Sequence, residues 1–135
     1  MTGIAGRGRH AVWSAVLDSD DPKGLARFYA GLLGWELPEQ LDDTWVSLRP
    51  PQGQAGYLSF QFEENYRPPV WPAEGPDDAP MQFHLDIAVT DVAAAVADAE
   101  KLGARLADYQ PQDDVRVMLD PAGHPFCLWV DDQSG

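Results

Sequence analysis

Cysteine is almost absent: Cys127 is the only one in 135 residues, so no intramolecular disulfide can form and no paired-thiolate zinc motif is available. Basic residues are scarce, nine Lys and Arg against 22 Asp and Glu, and the formal net charge is -13. A surface of that sign repels phosphate backbones and anionic headgroups, which excludes nucleic acid and membranes as expected partners. Long hydrophobic runs are missing too. The stretch AVWSAVL at 11–17 is too short for a signal peptide's apolar region and alternates like a strand, so the chain reads as cytoplasmic with no targeting signal. No glycine-rich phosphate loop occurs, and the acidic runs at 41–43, 76–78 and 131–132 are too scattered for a calcium loop.

What is present suits one compact domain: 44% hydrophobic residues, with five Trp, five Phe and four Tyr, can fill a core. Residues 1–10, MTGIAGRGRH, lack apolar periodicity and read as a flexible lead-in. In SDDPKGLARFYAGLLGW, Asp21 suits an N-cap, Pro22 the first helical position and Gly34 a left-handed stop. Leu25, Phe28, Tyr29, Leu32 and Leu33 make one apolar stripe between them. TDVAAAVADAEKLGA repeats the plan with Asp91 as cap and Gly103 as stop, 70 and 69 residues after their counterparts. That spacing is an internal repeat.

Each helix follows an alternating strand, AVWSAVLD or QFHLDIAV, and precedes three β-like runs. These are WEL, TWVSL and YLSFQF in the first half, and ARLADY, VRVML and PFCLWV in the second. The pattern predicts an α+β domain of two tandem βαβββ modules, at 11–62 and 81–135. The linker at 63–80 holds five prolines and no periodic pattern, as expected of a lid or connector. Trp71 within it either packs back on the domain or sits at the mouth of a binding site.

The segments DDPKGLARFYAGLLGWEL, PPVWP, HLDIAVTDVAAAVADAEKLGA and DPAGHPFCLW resemble the vicinal oxygen chelate superfamily, the glyoxalase and bleomycin-resistance proteins, and within it a compact glyoxalase-like subgroup. The resemblance implies two modules whose mixed sheets curl around a central cleft. It leaves the reaction open, because the superfamily includes isomerases, lyases, dioxygenases and drug-binding proteins without chemistry. Metal-dependent members take ligands from the first and last strands of each module. By position these are Ser14 and His84, each seven residues before a capping Asp, then Cys127 in DPAGHPFC and Gln61 in FQF.

That quartet offers one imidazole and no carboxylate, a poor set for a hard divalent ion. No cofactor is therefore expected. A divalent metal remains open only through substitutes, with His84, Gln61, Asp86 and Glu63 as the fallback ligand set and His124 in the nearby turn. The resemblance places Ser14, Gln61, Asp86, Cys127 and Trp129 along the cleft as substrate contacts, with Trp71 at its mouth and His84 as catalytic acid or base. The bland alternatives are a hydrogen-bonded core histidine and a buried cysteine acting as a small hydrophobe.

The leading expectation is a protein that binds a small organic molecule. A metal-dependent lyase, isomerase or dioxygenase and a non-catalytic drug-binding protein are the alternatives. A homodimer is compatible with the sheet edges, although no stretch specifies an interface.

Overall fold

The computed structural model describes residues 4–7 and 12–130. Most of the N-terminal lead-in and the acidic pair at 131–132 therefore lie outside the described residues. The first module comprises β1 (Ser14–Ser19), α1 (Pro22–Leu33), β2 (Trp45–Leu48) and β3 (Tyr57–Phe62). The second comprises β4 (Leu85–Val89), α2 (Val92–Leu102), β5 (Arg105–Leu106), β6 (Val115–Leu119) and β7 (Pro125–Val130).

Both helices begin and end by the same chemistry. Asp21 Oδ1 accepts from the Gly24 N–H at 3.0 Å, and Asp91 Oδ1 from the Ala94 N–H at 3.1 Å. These carboxylates satisfy N–H groups that no preceding turn can reach. Gly34 and Gly103 stop the helices at φ 70° and 116°, where a side chain would be strained.

One element departs from the sequence pattern. WEL at 35–37 alternates like a strand but forms none, because the left-handed turn at Gly34 folds the chain back and the Trp35 N–H is spent on Ala30 O at 3.0 Å. Pro38 then removes the next donor but two along this segment. The first sheet accordingly has three strands, in the order β1-β3-β2, while the second has four, β4-β7-β6-β5. The second module's matching strand, β5, is only two residues long.

In each sheet the first and last strands pair in parallel, with Asp18 opposite Gln61 and Asp86 opposite Cys127. Alternation sends Leu58 and Phe60 of β3, and Phe126 and Leu128 of β7, into the core beneath the helices. The opposite faces carry Ser14, Ser59 and Gln61 in one module and His84, Asp86 and Cys127 in the other. Helix α1 joins the two modules: Tyr29 stacks on Phe60 at 5.6 Å and meets Phe126 edge-on at 6.3 Å. No helix among the described residues is long and apolar enough to cross a membrane.

Candidate functional site

The edge strands β1 and β4 flank a cavity of about 650 Å³. Val16 and Asp18 line it from β1, Phe83 and His84 from the entry to β4, Tyr66 and Arg67 from the proline-rich linker, and His124 from the turn before β7. The linker is thus a wall of this cavity.

The turn that carries His124 is held by a buried carboxylate. Asp120, 2% exposed, accepts the N–H groups of Ala122 and His124 on Oδ1 at 2.9 and 3.0 Å. Its Oδ2 accepts the Tyr29 hydroxyl of α1 at 2.6 Å. Burial raises the Asp120 pKa from its ordinary value, while these hydrogen bonds and His124 oppose the rise.

The same seam is closed by two further contacts. The Tyr66 hydroxyl donates to Ala122 O at 2.7 Å, and His124 Nε2 lies 2.7 Å from Asp18 O. A carbonyl can only accept, so Nε2 bears a proton that it donates to Asp18 O. Burial, then the carboxylates of Asp120, Asp20 and Asp18, raises the Tyr66 pKa, which keeps this hydroxyl a donor.

On the open face of the second sheet, His84 Nε2 stands 3.2 Å from Asp86 Oδ1. Asp86 is also the cross-strand partner of Cys127, and the donor atoms of all three lie within 4.8 Å of one another. Burial, the Asp86 charge and a hydrogen bond to it push the Cys127 thiol up to about 11. The thiol is therefore protonated at neutral pH, which weighs against a Cys–His nucleophile. The geometry instead gives His84 a carboxylate that orients its ring, as an acid or base requires. Trp129 continues this face, and its indole N–H is buried without a partner among the described residues.

The corresponding face of the first module is a closed hydrogen-bond chain. Trp45 Nε1 donates to Ser47 Oγ at 2.9 Å, Ser47 bonds Ser59 at 2.9 Å, and Ser59 bonds Ser14 at 2.7 Å. Gln61 Nε2 donates to Asp18 Oδ1 at 3.1 Å.

Of the seven residues expected along one cleft, His84 alone lines the cavity. Asp86 and Cys127 gather beside it, whereas Ser14 and Gln61 are tied up within their own sheet. Trp71 does not line this cavity and packs on Tyr109 with ring centroids 5.6 Å apart. The fallback ligand set does not converge either. Gln61 is turned to Asp18, and Glu63 Oε1 accepts the Asn65 N–H at 3.0 Å. Tyr66, Arg67 and Asp18 escaped sequence reasoning because two sit in an aperiodic loop and the third at a strand end. His124 stood out in the sequence only as a substitute ligand.

The four superfamily ligand positions therefore do not fit a hard divalent ion. Ser14 and Gln61 are neutral and already hydrogen-bonded, Cys127 holds its proton, and only His84 is a good donor.

Comparison with known proteins agrees with the fold. The glyoxalase-like domain family matches residues 14–129. A glyoxalase/bleomycin resistance protein/dioxygenase family enzyme from Burkholderia phytofirmans PsJN superposes with a TM-score of 0.62 at 17% identity, covering 85% of this chain and 94% of that one. A glyoxalase-related enzyme from Fulvimarina pelagi gives 0.62 at 17% identity over 89% and 87% of the two chains. Lactoylglutathione lyase from Agrobacterium tumefaciens gives 0.58 at 19% identity over 94% and 98%. No curated protein matches the chain significantly. The chain belongs to the glyoxalase-like domain family.

Proposed function

We propose that this protein binds a small, neutral or cationic organic molecule in the cavity between β1 and β4, independently of the superfamily's four-ligand metal site. The observation behind this reading is the cavity itself. It is large enough for a metabolite-sized ligand, and its walls place Tyr66, His84 and His124 beside apolar surface from Val16 and Phe83. Imidazole and phenol partners orient a carbonyl or hydroxyl, and the apolar walls supply the affinity. The net charge of -13 favours neutral and cationic ligands over anions.

A second reading, an enzyme of the lyase or isomerase type, is favoured by the 3.2 Å His84–Asp86 pair. A carboxylate-oriented imidazole at a cavity wall can take a proton from carbon next to a carbonyl and return it elsewhere.

Binding is tested by thermal-shift screening of neutral and cationic small molecules against the protein and against Val16→Trp, which fills the cavity from an exposed position. Hits that stabilise the protein and lose their effect in Val16→Trp support the reading. Hits unaffected by that substitution place the ligand elsewhere. For the catalytic reading, His84→Ala abolishes turnover of a hit; retained turnover removes His84 from the mechanism.

A further inference from the structure

We propose that His84, Asp86 and Cys127 form a three-donor site for one borderline divalent cation of the zinc class, built entirely within the second module. The site differs from the superfamily arrangement in two ways. It takes no ligand from the first module, and one of its donors, Asp86, is not at any of the four ligand positions.

Sheet geometry makes the convergence. Asp86 and Cys127 are direct neighbours in the parallel β4–β7 ladder, and His84 is two residues before Asp86, so all three share one face. Their donor atoms lie within 4.8 Å of one another. The His84 Nε2 to Asp86 Oδ1 distance of 3.2 Å matches the edge of a tetrahedron with metal–ligand bonds of about 2.0 Å.

The donor types select the ion. An imidazole, a carboxylate and a thiolate suit zinc or cobalt, whereas magnesium and calcium require an oxygen shell. The thiolate and carboxylate together neutralise the ion's charge once the thiol proton has left, so binding releases a proton. His84 and Asp86 side chains are 37% and 61% exposed, so the fourth position opens to solvent and takes water or a ligand atom. His84 also lines the cavity, and with Nε2 on the ion it is not the acid or base of the second reading, so the two are alternatives.

The test is titration of chelator-stripped protein with Co²⁺, followed by zinc displacement. One equivalent is expected to produce a sulfur-to-cobalt charge-transfer band and the intense visible bands of a tetrahedral ion, and zinc should abolish both. Cys127→Ser removes the charge-transfer band, and Asp86→Asn, at an exposed position, weakens binding at least about tenfold. Ser14→Ala and Gln61→Ala leave affinity within about twofold of the parent. The proposal is overturned if no charge-transfer band appears at saturation. It is equally overturned if Gln61→Ala or Ser14→Ala weakens binding as Asp86→Asn does, since the ion would then be held between the modules.

Discussion

Replacing Tyr29 with Phe removes one oxygen from the place where the two modules meet. The hydroxyl is fully buried, donates to Asp120 Oδ2 at 2.6 Å, and is that oxygen's only side-chain partner among the described residues. A hydrogen bond to a buried carboxylate contributes about 1.5–3 kcal/mol, and the loss leaves the acceptor desolvated. The ring itself keeps its contacts with Phe28, Phe60 and Phe126. Tyr29→Phe should therefore destabilise by about 2–3 kcal/mol, a Tm decrease of roughly 6–12 °C for a domain of this size.

The effect has a definite pH dependence. Burial raises the folded Asp120 pKa above its ordinary value, so between the two values the native state holds more proton than the unfolded chain and stability falls as pH rises. The Tyr29 hydroxyl offsets part of that fall by stabilising the ionised form. Its removal is therefore costliest above the folded pKa and matters less once acid has protonated Asp120. Urea unfolding of both proteins near about pH 7 and about pH 4 measures this difference. A deficit under about 0.5 kcal/mol at neutral pH, or one that grows toward acid, refutes the role assigned to this contact.

Three further outcomes follow from local geometry. Alkylation of Cys127 by iodoacetamide should be slow at neutral pH and accelerate as the solution approaches about pH 11; Asp86→Asn removes a negative neighbour, lowers the thiol pKa and speeds the neutral-pH reaction, as read by mass spectrometry. Gly34→Ala meets no neighbouring atom, but it forces a side chain into the φ 70° turn and should cost about 1–2 kcal/mol in chemical denaturation. Val16→Trp, at a position 45% exposed, should change stability by no more than about 1 kcal/mol while abolishing ligand-induced stabilisation.

The repeat was legible because its signals are local. Asp21 and Asp91 cap, Gly34 and Gly103 stop, and the strands alternate between them; each depends on a few neighbouring residues. The absent strand at 35–37 was not legible, since Trp35 and Leu37 alternate properly and only the direction of the chain after Gly34 disqualifies them. At the site, the two-residue spacing leading into β4 put His84 and Asp86 on one face, and the family resemblance of DPAGHPFC brought Cys127 opposite. The cavity wall was out of reach for a different reason. Tyr66 and Arg67 arrive there by the path of a proline-rich loop, which has no period to read, and His124 by a turn whose position depends on the distant Tyr29–Asp120 bond.

The location of a bound ligand decides the functional reading. A crystal structure with the strongest stabilising hit from the small-molecule screen should show it between β1 and β4, within hydrogen-bond distance of Tyr66, His84 or His124 and against Val16. Ligand seated instead over Cys127 and Trp129 on the open face of the second sheet, with the cavity between the edge strands holding only water, would contradict it.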